Sequence, residues 1–350
     1  MPRSFAIAAL VACFPLAWFG TGEPGTGEPG TGKLGAAELP HNHPSWLKLS
    51  AANFELYTTA DEGAGRALIL RLESLRAVLQ PILGWKGEPR SDHRDERERP
   101  ICIIAFGSRD EFQPYAPIGR SIGFFLPGPR RDFVVLDGSR AENRAAAHEY
   151  AHFVMANSGL RLPPWLNEGL AELYSNLQVP RSGERTEIGR FIPGRVLSLR
   201  RDAWIGLDRL TSAGPNSAIF TGADSVDSAY AESWLLAHML VLDPRYEAHF
   251  PEMLAALQTT ETSAAFRQVY GKSIADVERD LKAYLEVGQM NVRILGDPPT
   301  PAALRIMVEH DADFDGRSAV AEMLGNYRGR TEQSRELYRQ LERDYRQRVP

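Results

Sequence analysis

The stretch that decides the reading is His148-Glu149-Tyr150-Ala151-His152, followed after a short interval by Trp165-Leu166-Asn167-Glu168-Gly169-Leu170-Ala171-Glu172. Residues four apart share one face of an α-helix, so on a helix His148 and His152 both point at a single ion. Glu149 is turned by about 100° from His148. Its carboxylate then lies beside such an ion, where it can take a proton from water. The flanking residues favour a helix. Ser139 and Glu142 have the Ser-x-x-Glu spacing of a capping box. Residues 141–155 hold five alanines and no Gly or Pro, and Asn157-Ser158-Gly159 supplies a stop. Pro163-Pro164 allows a sharp change of direction into a second helix, expected over 166–177. Glu168 falls in its first turn, able to face back toward the histidines. A tetrahedral zinc site with one open position needs three protein ligands, and His148, His152 and Glu168 are the candidates. Glu172 lies one turn further on the same face. It either accepts a hydrogen bond from the far nitrogen of a ligand histidine or is a solvated helical carboxylate.

These two segments resemble the gluzincin metallopeptidases, and most closely the bacterial peptidase MA-like families; thermolysin and the zinc aminopeptidases are more distant. The resemblance is carried by residues 123–176 and is faint elsewhere. It implies a zincin-like α+β fold: a small mixed β-sheet and a helix before a mostly helical half, with the active site in the cleft between. It also implies one Zn2+ ion on His148, His152 and Glu168, with Glu149 as the general base. The aminopeptidase signature Gly-x-Met-Glu-Asn is absent near Ser121-Ile122-Gly123-Phe124-Phe125, so the choice between endo- and exopeptidase stays open. In related gluzincins a tyrosine at the start of a later helix stabilises the transition state. Tyr230, in Ser228-Ala229-Tyr230-Ala231-Glu232-Ser233-Trp234, matches by context; a packed aromatic residue explains it equally. His238 reads as a core or surface histidine and Trp165 as core packing. Residues 132–136 precede the histidine helix. They form either an edge strand that pairs with extended substrate, as in related enzymes, or an interior strand.

Around this centre the chain is organised simply. Residues 54–58 alternate as a half-buried strand and 101–106 form an apolar strand. Between them Leu68, Leu72, Leu75 and Leu79 recur at helical spacing over 63–83. Residues 88–100 are charge-rich and read as a solvated loop, and 119–128 as a turn or loop. From Ser139 the pattern is mainly helical. Asp297-Pro298-Pro299 marks a boundary before a C-terminal helical segment, 297–350, with a break at 325–329. That segment has a tetratricopeptide-like cast and is a candidate surface for a protein partner. The metallopeptidase-like domain is expected over 40–296.

The N-terminus reads as an export signal. Arg3 precedes an apolar run over 5–19, which is short of the roughly 20 residues of a transmembrane helix. Leu10-Val11-Ala12-Cys13 also resembles a lipoprotein box, with lipid on Cys13. Residues 20–39 form a Gly/Thr/Glu/Pro-rich tether. The expected location is periplasmic or extracellular, with membrane contact only through an uncleaved or lipidated N-terminus. The chain has 350 residues, 43% of them hydrophobic and 24% charged, so a sizeable core is available. A net charge of -5 gives no electrostatic basis for nucleic acid binding. Cys102 has no partner besides Cys13, which excludes a disulfide framework.

The expected activity is hydrolysis of peptide bonds in a peptide or protein substrate. Two other readings fit the same residues: a zinc amidase acting on a non-peptide or cell-wall bond, and an inactive binding module on a metallopeptidase frame. The second does not need His148, Glu149, His152 and Glu168 together.

Overall fold

Ile101-Cys102-Ile103-Ile104-Ala105-Phe106 is buried along its whole length, and alternate side chains enter different cores. Ile101, Ile103 and Ala105 join one apolar cluster; Cys102, Ile104 and Phe106 join another. The two-residue period of a strand makes this the middle of a sheet covered on both faces. The computed structural model describes residues 45–83, 100–116, 122–139, 144–179, 185–222, 225–288, 290–296 and 301–348. Its main sheet has six strands: β1 (Leu47–Ser50), β2 (Phe54–Thr58), β3 (Ile101–Phe106), β4 (Gly123–Leu126), β5 (Phe133–Asp137) and β8 (Met307–Glu309). Their order is β4-β5-β3-β2-β1-β8. The pairs β2–β3 and β3–β5 are parallel, and the others antiparallel. Two further strands, β6 (Thr186–Ile188) and β7 (Arg293–Gly296), pair with each other. The molecule is thus mixed α+β, with strands concentrated in the first part of the chain.

Helix α1 (Glu62–Leu83) and helix α3 (Arg144–Asn157) cover one face of the sheet, with Leu68, Leu72, Leu75 and Leu79 buried as the spacing requires. A four-residue helix, α2 (Arg109–Phe112), follows β3. The helical half comprises α4 (Pro164–Ser175), α5 (Pro193–Arg201), α6 (Leu207–Ser212), α7 (Ala218–Thr221), α8 (Val226–Leu242), α9 (Phe250–Ala256), α10 (Thr262–Tyr270) and α11 (Ile274–Glu286). Helix α8 is buried on all sides, in keeping with its apolar sequence. It packs tightly on α4 because Gly169 has no side chain. A β-carbon there would collide with the backbone oxygen of Ser233 and sit 2.9 Å from Ala237 Cβ.

Several features differ from the sequence reading. Residues 123–126 form the edge strand β4 rather than a loop; pairing with β5 overrides a composition of Gly and Phe. Residues 132–136 fall within the sheet interior, because β5 is flanked by β4 and β3. Strands β7 and β8 interrupt the mainly helical half. The C-terminal residues, α12 (Pro301–Leu304), β8, α13 (Asp313–Asn326) and α14 (Thr331–Arg348), are joined to the sheet. Helix α13 covers its second face, where Ala319, Val320 and Met323 meet Cys102, Ile104 and Val135. Gly316 lets α13 approach Trp46, whose ring would lie 2.5 Å from a β-carbon at that position. The α13–α14 pair is therefore more than a free helical hairpin. The leader, the tether, Cys13 and Glu142 lie outside the described residues, as do residues 88–99 of the charge-rich loop. Among the described residues, no helix is long and apolar enough to cross a membrane.

Candidate metal centre

Helix α3 carries His148 and His152 on one face, with ring centroids 4.7 Å apart. The chain leaves α3 at Asn157 and passes through Gly159, whose φ of +79° is a left-handed conformation that glycine adopts readily. It re-enters helix at Pro164, with the carbonyl of Pro163 accepting from the N–H groups of Leu166 and Asn167. Helix α4 starts two residues before the expected position, so Glu168 sits in its second turn. It still faces α3. Three donor atoms converge: His148 Nε2 and His152 Nε2 are 3.0 Å apart, and Glu168 Oε2 is 3.4 Å from the first and 3.5 Å from the second.

That triangle can be tested against coordination geometry. Ligands at zinc distances of about 2.0–2.1 Å in a tetrahedron are separated by about 3.3–3.4 Å. The observed edges bracket that value. Glu168 Oε2 is buried and makes no hydrogen bond, and the two imidazole nitrogens face each other and that oxygen. Buried polar atoms normally have partners, and a cation would give these three donor atoms one. The group can hold a metal ion.

Each of the two candidate ligand histidines has a side chain facing its other ring nitrogen. His152 Nδ1 lies 2.6 Å from Asn167 Oδ1. An amide oxygen only accepts, so Nδ1 carries its proton and Nε2 is turned toward the centre. His148 Nδ1 lies 3.4 Å from Glu172 Oε1, an ion-pair distance that is not closed into a hydrogen bond. Glu172 is fully buried. Arg195 grips it through two bonds of 3.0 Å, Nε to Oε2 and Nη2 to Oε1, and Arg144 Nη2 donates to Oε2 from the start of α3. Of the two sequence readings of Glu172, the solvated carboxylate is excluded by this burial.

The electrostatics follow from these contacts. Burial raises the Glu168 carboxyl, but the two histidines outweigh it and bring it to about 2. Burial lowers His152, but Glu168 outweighs it and holds the imidazole at about 9. A cation binding here competes with that proton. Glu149 is buried beside the triangle and accepts from the N–H of Phe125 on β4 at 3.2 Å. Burial raises its pKa, with the adjacent histidines pulling the other way. It is a carboxylate with an enhanced appetite for a proton.

Tyr230, near the start of α8, reaches the same centre. Its ring lies nearly parallel to the His148 imidazole, 6.1 Å between centroids at 25°. Burial first, then Glu168, Glu149 and Glu172, push its hydroxyl well above the usual tyrosine value. The phenol therefore keeps its proton at neutral pH. His238 is two turns away and uses both ring nitrogens structurally: Nδ1 is 2.8 Å from Tyr284 Oη, and Nε2 is 2.9 Å from the Gly189 carbonyl. Trp165 is core, its Nε1 donating to Thr262 Oγ1.

The structure thus gathers His148, Glu149, His152, Glu168, Glu172 and Tyr230 at one place. Sequence reasoning missed Asn167, Arg144, Arg195 and the Phe125 N–H. Asn167 had a local signal, since it directly precedes the candidate ligand. Arg144 and Arg195 had none, because their partner Glu172 is 28 and 23 residues away. No protein-family model matches the chain, and no curated protein matches it.

Proposed function

We propose that the chain is a zincin-like metallopeptidase that hydrolyses peptide bonds with one zinc ion held by His148, His152 and Glu168. The observation that carries this reading is the donor triangle with the buried Glu149 carboxylate beside it. When bound, zinc lowers the pKa of water to about 7 and polarises a carbonyl oxygen. Glu149 takes a proton from the attacking water as its oxygen adds to the scissile carbonyl carbon. As the carbon–nitrogen bond breaks, Glu149 passes that proton to the leaving amine. Tyr230, protonated at neutral pH, donates to the developing oxyanion. Asn167 and Glu172 hold the two imidazoles in orientation.

A peptide substrate is favoured by the strand next to the base. Among the described residues β4 ends the sheet. The bond from Asp137 N–H to the Ile122 carbonyl sets the alternation of the antiparallel ladder. It turns the polar groups of Phe125 away from β5, and the Phe125 N–H meets Glu149. An extended backbone laid along that edge would run past the base, and main-chain pairing tolerates varied side chains. Export of the mature domain, by a cleaved leader or with lipid on Cys13, belongs to the same proposal. The test is metal analysis of purified protein together with a proteome-derived peptide cleavage profile. Glu149→Gln should retain one zinc per chain and lose turnover. Equal cleavage by Glu149→Gln and wild type would refute the base assignment, and a wild type without bound metal would refute the site.

A further inference from the structure

Four side chains from four helices close a ring of contacts behind the donor triangle. His148 on α3 lies 3.4 Å from Glu172 on α4. Glu172 is held at 3.0 Å through both oxygens by Arg195 on α5. The guanidinium carbon of Arg195 sits 5.2 Å from the centroid of the Tyr230 ring on α8. That ring in turn lies alongside the His148 imidazole. Arg195 itself is 7% exposed, so it is not placed to meet substrate. Its remaining arm reaches Asp227 Oδ1 at 3.4 Å, at the start of α8.

We propose that Arg195 is a positioning residue that couples the orientation of the ligand His148 to the placement of Tyr230. One planar fork does both tasks. Its two nitrogens fix the Glu172 carboxylate by paired charge-assisted bonds, and its cationic carbon sits over the phenol ring. A lysine keeps the charge but has neither the fork nor the plane. Arg144 also pairs with Glu172, so replacing Arg195 should leave the buried carboxylate one cation. The role rests on the metal-site reading above but adds a residue from a helix outside the two signature segments.

The experiment compares wild type, Arg195→Lys, Glu172→Gln and the double variant. Zinc affinity is measured by competition with a chromogenic chelator, and ligand geometry by the visible absorption of the cobalt-substituted protein. Arg195→Lys should weaken zinc binding about tenfold, within the range for supporting residues of metal ligands. It should also shift the cobalt spectrum, and on a cleaved peptide it should lower kcat more than it raises KM. In the Glu172→Gln background the same lysine should cost at most about twofold, because the link to His148 is already cut. A folded Arg195→Lys variant with zinc affinity within about twofold of wild type overturns the proposal and leaves the site reading intact. Full additivity in the double variant does the same. A wild type that binds no zinc overturns both. If Arg195→Lys does not fold, Asp227→Asn loosens the fork from its more exposed side and should weaken zinc about threefold; unchanged affinity there overturns the proposal.

Discussion

Glu168 and Glu172 lie one turn apart on α4, and both are buried, yet their surroundings are opposite. Glu168 faces two imidazoles at 3.4 and 3.5 Å and leaves Oε2 without a hydrogen bond. Glu172 is enclosed by the guanidiniums of Arg144 and Arg195. Both carboxyls are held below the ordinary range against the cost of burial, Glu168 by histidines and Glu172 by arginines. Histidines can give up their protons to a cation, whereas arginines cannot give up theirs. The first cluster is therefore exchangeable and the second permanent. A binding centre needs unsatisfied donors, and the frame that holds it needs satisfied ones. A third buried carboxylate, Glu232 on α8, accepts from the N–H groups of Ile205 and Gly206. Burial pushes it up to about 7, outweighing those two bonds and the pull of Lys282.

The contrast can be broken most directly at the exchangeable cluster. His152→Ala removes one of three ligands and should weaken zinc binding on the order of a thousandfold, read by chelator competition, while urea unfolding of the metal-free protein changes little. A loss of fold comparable to the loss of zinc would mean that the histidine is structural. The permanent cluster should respond in the opposite way. Glu172→Gln leaves the buried guanidinium of Arg195 and the half-buried one of Arg144 facing an uncharged amide and should cost about 3–5 kcal/mol in urea unfolding of the metal-free protein. It should also weaken zinc about 10–100-fold. Stability within 1 kcal/mol of wild type, roughly the range of an exposed pair, would remove the distinction drawn here.

Tyr230→Phe sharpens the comparison, because it removes one hydroxyl and keeps the ring that lies beside His148 and under Arg195. It should lower kcat about a hundredfold with zinc affinity unchanged, measured on a cleaved peptide alongside the chelator assay. An equal loss of zinc would make the residue a support of the ligands rather than a donor to the reaction. The smallest effect is expected at Glu232. Its folded pKa stands at about 7, above the ordinary 4.5, so the native state binds the extra proton between those values. Its contribution to stability is full below about pH 4.5 and is lost as pH rises through 7. Wild type should lose roughly 1–3 kcal/mol across that window relative to Glu232→Gln, followed by urea midpoints at matched pH. Parallel curves for the two proteins would show that the carboxyl is ionised throughout.

Local chemistry explains which parts were readable. The α3 helix follows from alanine content and a Gly159 stop, and its two histidines from their four-residue spacing. The buried run 101–106 announces a strand covered on both faces. Strand β4 was not readable, since its extended form comes from pairing with β5 and not from its own residues. Strand β8 is three residues, largely exposed, and exists through its register with β1, Val308 opposite Leu49. The supporting arginines were invisible for a related reason: a buried ion pair is specified by the meeting of two helices, and neither helix advertises it.

What the sequence alone determined is the set of side chains that one helix turn or one tight connection brings together: His148, Glu149, His152, and Glu168 just across the Pro163-Pro164 turn. Short-range geometry is enough for these, because helical spacing leaves few alternatives. Only the tertiary structure decided that α8 delivers Tyr230 to the same point, that Gly169 lets it approach, and that α5 supplies the cation behind Glu172. Those placements depend on packing between segments distant in the chain, where closeness is set by the whole core and not by any local pattern.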